Sequence, residues 1–393
     1  MANTLLTIDM ITREALRVLH QKLNFIGTIN RQYDDSFAKR GAKIGDTLRI
    51  RLPNQYVIRT GATLTVQDTV EQNTSLTVAT QKGVDLNFTS LDLTLKLDDF
   101  SKRILNPAMA VLAANVEADA MTMYKDVYQQ VNNLAAPLTF GKVQQGRKVL
   151  VDSLAPLTDR TANLNTQDNV DLIDSVKGLF HDSEAIKKQY REGMSGRTGG
   201  FDFYENTLWP RHLSGTNAGT GYLVNGAGQT GSSLIVDTGT GTFTKGDVFT
   251  IAGVNRVHPE TKVDTGVLQQ FVVTANYAGG GGTVSIAPAI VVTGGRQNVT
   301  QSPPDNNAIT KIGGNASTYG ISLLYNEDAF TFATADLVVP NGVDMAAREV
   351  YDGISMRIVR DYTISDDNFP CRVDILYGYK AIRPELAVRS ANN

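Results

Sequence analysis

The 393-residue chain has one cysteine, Cys371, and four histidines, His20, His181, His212 and His258. A single cysteine excludes a disulfide within the chain and any zinc site built on cysteines. The histidines are far apart in sequence, which leaves no local histidine ligand set. An excess of one charge is missing too. With 37 Lys+Arg against 40 Asp+Glu the net charge is −3, which speaks against a dedicated nucleic-acid binder and lets copies of the chain approach each other without much long-range repulsion. Long apolar runs are absent. The longest, Ala108 to Ala114, falls far short of the ~20 residues that a membrane-spanning helix needs. Met1 to Asp9 has no basic segment, and Asp9 interrupts its apolar stretch, so we expect no export signal, no membrane partner and assembly in the cytoplasm where the chain is made.

What is present alternates between helical and extended patterns. Ile8, Ile11, Ala15, Val18, Leu19 and Leu23 recur at helical spacing and predict an amphipathic helix over 8–23. The polar stretch Asn30 to Arg40 reads as an extended arm. Asp46 to Leu52 alternates and is stopped by Pro53, so it reads as a strand. Val84 to Phe88 alternates as well, slips by one residue at Thr89-Ser90 and resumes through Leu91, Leu93, Leu95 and Leu97, a pattern that predicts a bulge or bend. The Thr-rich stretch 59–83 between these strands has few apolar residues (Leu64, Val66, Leu76, Val78) and reads as a hairpin arm that leans on a neighbouring molecule. Asn106-Pro107 opens a helix whose apolar residues, Met109 to Val131, step by three and four; from 107 to 132 it would be roughly 39 Å long. Further helices are expected at 168–180 and 183–192.

Composition then shifts. Residues 215–320 hold 20 of the 35 glycines, and 215–310 contain only nine Asp, Glu, Lys or Arg, with no helical pattern. Short β segments recur there, the last two flanking Gly279 to Gly282, so this stretch reads as an all-β module inserted into the chain.

No motif assembles into an active site, and we expect neither catalysis, cofactor nor metal. Gly226-Ala-Gly-Gln-Thr-Gly231 has the spacing of a dinucleotide loop, but the strand-like Ser232 to Val236 follows where a helix N-terminus is required. Gly141 to Lys148 has the glycine spacing of a phosphate loop without its Lys-Ser/Thr pair, and Gly193 to Arg197 misses the last glycine of a nucleophile elbow. Asp98-Asp99 and Asp366-Asp367 read as caps and solvated charge. Lys39, Arg40, Lys43, Arg49, Arg51 and Arg59 form the one notable basic stretch, either a contact for nucleic acid or acidic partners or the solvent face of a strand. His258 reads as a turn residue and Cys371 as a buried small hydrophobe.

The order of parts resembles the major capsid proteins of tailed double-stranded DNA bacteriophages with the Hong Kong 97-type fold, and among them the coat proteins of short-tailed Salmonella phages. Lys245-Gly246-Asp247 leading into Phe249 to Val254, then Phe271-Val272-Val273 and Ile286-Ala287-Pro288, carry the likeness in the insert. Ala113 to Glu117 carry it in the long helix, and Tyr377-Gly378 with Arg383-Pro384-Glu385 at the C-terminal end. The resemblance implies an α+β fold divided into an N-terminal arm and helix (1–35), an extended β-hairpin loop (36–97), a peripheral-domain spine helix (98–133), an axial domain in two parts (134–217 and 309–360), an inserted β-barrel (218–308) and peripheral closing strands (361–393). It implies a structural protein that self-assembles into hexamers and pentamers of an icosahedral shell in the virion, with scaffolding protein, portal protein and non-specifically packaged DNA as partners. Candidate subunit contacts are Arg49, Arg51, Arg59, Leu64, Val66, Leu76 and Val78, the four apolar ones covered only in the oligomer; a chain lacking 60–82 should then be a soluble monomer that forms no shells. The resembled coat proteins carry a charged loop in the insert, whereas His212 to Val236 here has no Asp, Glu, Lys or Arg, which leaves the insert the task of stabilising the subunit or hexamer. Some relatives crosslink a lysine to a neighbour's asparagine, and Lys82 lies in the corresponding loop. The alternative readings are a β-rich adhesin that binds carbohydrate on a virion or cell surface and, with least support, a hydrolase using scattered acids.

Overall fold

Helix α1 (Ile8–Lys22) turns Ile11, Ala15, Leu16, Val18 and Leu19 inward and leaves Arg13 and Arg17 outside, Arg17 pairing with Glu14 at 2.7 Å. This is a computed structural model, and it describes residues 8–33, 46–64, 66, 71–88, 104–176, 197–351, 353–364 and 369–392. The chain divides into two compact units. The first comprises residues 1–50, 73–121 and 330–380, the second 51–72, 122–329 and 381–393. The expected helix at 183–192, the phase slip at 89–90 and its continuation lie outside the described residues.

In the first unit α1 packs on helix α2 (Asn106–Met121) and on the strand Met345–Tyr351. Glu117 of α2 is buried, and its carboxylate accepts the main-chain N–H of Asn24 at 3.1 Å and that of Phe25. A buried carboxylate that accepts these main-chain N–H groups ties the turn Ile26–Thr28, which follows α1, to the second helix and so fixes the exit of the first helix. The α-helix is shorter than the spacing predicts. It ends at Met121, about 24 Å from its start, and continues as a 3-10 turn, Thr122–Asp126, and a strand, Gln130–Asn132. The apolar period runs on because Met123, Val127 and Val131 are all buried, each in a different backbone conformation.

A six-stranded sheet runs Asn30–Tyr33, Phe330–Ala335, Phe369–Ala381, Ile354–Arg360, Met345–Tyr351, with Thr80–Phe88 also paired to Phe369–Ala381. Part of the expected N-terminal arm is therefore a parallel edge strand: Asn30 to Tyr33 pair with Thr331 to Thr334. The strands Asp46–Leu52 and Gln72–Val78 form a two-stranded ribbon. It does not stand free. Leu76 and Val78 are 1% and 3% exposed and pack against Ala333, Ala335 and Leu376. Gly378 makes this approach possible, because a Cβ there would lie 2.2 Å from the Thr77 carbonyl oxygen and 3.1 Å from Val78 Cα.

Two acids of this unit, Asp374 and the half-buried Asp119, are answered by several donors each. Asp374 receives Arg357 at 2.6 Å and Arg372 at 2.8 Å; burial opposes its charge, but the two guanidinium groups hold the carboxyl below the usual range. Asp119 receives the Tyr377 hydroxyl at 2.6 Å and the Lys82 ammonium at 2.7 Å. Phe330–Ala335 and Ile354–Arg360 flank Phe369–Ala381, Met345–Tyr351 pairs with Ile354–Arg360, and Ala387–Asn392 lies in the sheet of the second unit.

That second sheet runs Gln130–Asn132, Ala387–Asn392, Thr318–Asn326, Arg160–Leu164, Phe201–Glu205, Arg197–Thr198, with His212–Leu213 also pairing to Thr318–Asn326. All six residues of Ala387–Asn392 are buried. Helix α3 (Phe140–Asp152) lies on this sheet and contains the glycines of the apparent phosphate loop. Gly146 is there for contact, since a Cβ would lie 2.2 Å from Leu324 Cδ1. Helix α4 (Thr166–Val176) covers part of the expected 168–180.

The insert is a closed six-stranded barrel in the order Tyr222–Val224, Gly231–Asp237, Gly282–Ile290, Asp264–Val273, Val248–Val257, Ala308–Lys311. Alternating residues supply its core, including Tyr222, Leu234, Phe249, Phe271, Ile286 and Ile309. Gly226, Gly228 and Gly231 of the apparent dinucleotide motif have φ of +87°, +78° and +86°, so they shape a loop that L-residues would strain.

Replacing Gly378 by Ala forces a methyl group into backbone that cannot retreat. The variant should lose about 1–3 kcal/mol in thermal or denaturant unfolding; a loss under about 0.5 kcal/mol would contradict this packing.

Candidate assembly surface and the root of the barrel

Past Pro53 the chain leaves its ladder, and residues 53–60 form no β-strand. Five large apolar side chains then stand in solvent within eleven residues: Tyr56 at 57%, Val57 at 43%, Ile58 at 89%, Leu64 at 75% and Val66 at 78% exposure. Single exposed apolar residues are ordinary; a run of them on one segment marks a contact surface. The segment is nonetheless shaped. Arg59 donates to the carbonyls of Gly61 and Thr63, the latter at 3.1 Å, around a turn in which Gly61 has φ of +99°. Its backbone at Gln55 passes over the barrel loop at Gly295, where a Cβ would lie 2.6 Å from the Gln55 oxygen.

The expected contact residues therefore separate. Arg49, Arg51 and Arg59 are exposed, Arg51 lying 3.7 Å from Glu71, and Leu64 and Val66 are exposed with them. Leu76 and Val78 are a correction: they are covered by the chain's own sheet, because the ribbon that bears them lies flat on it. Deleting 60–82 would thus remove a core strand together with the exposed segment. His258 is a turn residue, its Nδ1 accepting the N–H of Glu260 and Thr261 at 3.3 and 3.2 Å. Cys371 is buried in a strand, and burial pushes its thiol up to about 12. Lys39, Arg40, Lys43, Asp98-Asp99, Gly193 to Gly196 and Asp366-Asp367 lie outside the described residues. Among the described residues no group of three His, Cys, Asp or Glu could hold a metal ion, and no helix is long and apolar enough to cross a membrane.

Residues not foreseen as functional build the root of the barrel. Asp247, in the turn that enters Val248–Val257, is fully buried; its Oδ2 accepts the N–H of Thr244 at 2.9 Å and of Gly215 at 3.0 Å. Its Oδ1 lies 3.0 Å from His212 Nε2, and His212 Nδ1 lies 3.1 Å from the Tyr124 hydroxyl. A carboxylate only accepts, so Nε2 carries the proton and Nδ1 accepts from Tyr124. Burial pushes the His212 imidazole below its ordinary value despite the nearby carboxylate, so the ring is neutral at pH 7. Asp247 remains charged: burial works against it, but the donors from His212, Thr244 and Gly215 hold it below the usual carboxylate range.

Two buried cations complete the root. Arg389, in the closing strand, donates to the Gly246 carbonyl, and Lys311 donates to the carbonyls of Gly215 at 2.7 Å and Gly314 at 2.9 Å. Burial lowers both from their ordinary values. Gln270 of the barrel uses its side-chain amide as a strand would. Its Oε1 accepts Gln130 N–H at 2.7 Å and its Nε2 donates to Gln130 O at 3.0 Å, closing that sheet edge. In sequence, only Lys245-Gly246-Asp247 stood out among these residues. The others are separated by up to hundreds of positions and follow no periodic pattern.

The family model described as P22 coat protein - gene protein 5 matches residues 29–389. The chain belongs to the P22 coat protein family. It is a major capsid protein of a tailed bacteriophage, structural in role, whose place is the capsid shell of the virion. No individual curated protein matches it significantly. Solved structures similar to this coat protein include one from Mycobacterium phage Che8, 11% identical over 94% of this chain and 90% of that one with a TM-score of 0.47. The bacteriophage PhiM1 mature capsid is 11% identical over 94% and 87%, TM-score 0.45. The capsid of Cyanophage P-SCSP1u is 9% identical over 89% and 84%, TM-score 0.42. The α+β architecture with its closed inserted barrel is the form this coat protein takes.

Removing the Asp247 carboxylate strands the main-chain N–H groups of Gly215 and Thr244 and the buried His212 ring. Asp247→Ala should therefore lose about 3–5 kcal/mol of stability in denaturant unfolding, as expected for a broken buried polar pair.

Proposed function

We propose that residues 53–66 are the surface by which one coat subunit grips the next in an icosahedral shell of hexamers and pentamers. The observation that carries this is the set of exposed apolar side chains Tyr56, Val57, Ile58, Leu64 and Val66 within eleven residues. Burying one such side chain against a neighbour contributes roughly 1.5–3 kcal/mol, and a shell closes by repeating that modest gain at every subunit. Arg49 and Arg51, exposed on the strand leading into the segment, add charge at its base. The same reading gives the barrel the task of stabilising the subunit, and gives the shell a scaffolding protein, a portal protein and non-specifically bound DNA as partners, with assembly in the host cytoplasm.

The carbohydrate-binding alternative needs aromatic rings on the outside of the barrel. Of the module's aromatics, Tyr222, Phe243, Phe249 and Phe271 are at most 2% exposed and form its core, and Tyr277 packs half-buried against it.

Negative-stain electron microscopy of the chain, expressed alone and with a scaffolding protein, tests the reading; closed shells or curved hexamer sheets are expected. Leu64→Asp with Val66→Asp should keep a folded, soluble subunit by circular dichroism but reduce shell yield at least tenfold in sedimentation. Normal shells from that double variant would remove the segment from the contact.

A further inference from the structure

His212 joins three elements: the barrel turn through Asp247, the 3-10 turn Thr122–Asp126 through Tyr124, and the sheet strand Thr318–Asn326, on which His212 pairs opposite Tyr319 with the two rings 5.2 Å apart. The imidazole is 1% exposed and the Asp247 carboxylate 0%, so no solvent path relieves a change of charge between them. We propose that His212 is a proton-sensitive latch that holds the root of the barrel on the sheet while neutral and lets it go on protonation.

The neutral ring uses both nitrogens, Nε2 as donor and Nδ1 as acceptor. A second proton makes Nδ1 a donor, turns the Tyr124 hydroxyl proton away from its only described acceptor and adds a cation to a dry site. The groups facing His212 from every side do not welcome that cation. Tyr124 and Lys125 come from the 3-10 turn, Tyr319 from the sheet, Arg389 from the closing strand and Asp247 from the barrel, while Asp126 acts on Arg389 and Lys311 on Asp247. Asp247 is already shared among His212, Gly215 and Thr244, and Asp126 is engaged by Lys245 at 3.2 Å. Arg389 and Lys125 both oppose the added charge. The latched state therefore binds the proton more weakly than a released state with an ordinary histidine, and the sign follows. Latching is complete above the ordinary value and is lost as pH falls toward the lowered one. With a released value near 6.5, one proton favours release by up to about 30-fold between pH 7.5 and 5.0.

Hydrogen exchange of the full chain, read by mass spectrometry at pH 7.5 and 5.0 and corrected for intrinsic rate, tests this. Segments 212–217 and 244–248 should lose protection at least tenfold at pH 5.0, while the barrel core at 249–251 and 271–273 keeps its own. His212→Gln retains a donor toward Asp247 and cannot titrate, so its protection should not change with pH. Should that variant fold poorly, NMR titration of the wild-type His212 ring replaces it, and the ring's midpoint should coincide with the loss of protection. Protection unchanged in the wild type, the same loss in His212→Gln, or a ring midpoint separate from the loss would each overturn the latch.

Discussion

The carboxylate of Asp247 must stay charged where water does not reach it, and the root of the barrel is arranged around that demand. An isolated buried carboxylate is costly, so each of its oxygens needs fixed donors. Two come from main chain, Thr244 in its own turn and Gly215 from the strand connection, and the third is the imidazole of His212. Satisfying one charge in this way pins three stretches of chain to a point. It also sets the state of the histidine, because a ring that must donate through Nε2 has only its Nδ1 lone pair left for Tyr124.

The need for such a hub follows from the closure of the barrel. A closed sheet uses its backbone groups internally and presents no edge for pairing with a second sheet. Attachment has to be made by side chains reaching for main-chain atoms. Gln270 does this at Gln130, Lys311 at Gly215 and Gly314, and Arg389 at Gly246. In three of these the side chain meets a carbonyl that lies outside the regular ladders. The segment after Pro53 is the opposite case. It has left its ladder, its apolar side chains are uncovered, and its internal order comes from Arg59 folding over its own turn.

Local pattern made much of this legible. The amphipathic first helix, the strand stopped by Pro53, the start of the second helix at Asn106-Pro107 and the glycine-rich β-module could all be read from spacing and composition. Two readings failed for a common reason. Leu76 and Val78 sit in a thin apolar pattern that suggested dependence on a neighbour, yet Ala333, Ala335 and Leu376 cover them. Those partners are hundreds of residues away, and Gly378, which lets the ribbon lie close enough, looks in sequence like any strand glycine. The long helix ended early because the apolar positions Met123, Val127 and Val131 are required by burial, and burial does not specify a helix. The root was the least legible part. His212, Tyr124, Lys311 and Arg389 are single polar residues scattered over the chain, and only Asp247 stands in a segment, Lys245-Gly246-Asp247, that the sequence singles out.

The scarcity of charge from His212 to Val236, which set this chain apart from the coat proteins it resembles, takes on a physical meaning at the root. His212, Ser214 and Asn217 are nearly inaccessible, and Gly215 offers its N–H to Asp247 and its carbonyl to Lys311. A charged side chain in the buried part of this stretch would compete with main chain that already serves both a buried anion and a buried cation. Glycine at 215 is also required sterically, since a Cβ would lie 2.2 Å from the Thr242 oxygen. Neutral residues here keep the backbone free to act as the counter-ligand on both sides. Absence of charge in this stretch is thus a condition for burying Asp247 and Lys311 side by side, and that burial in turn seats a barrel with no edge of its own to offer.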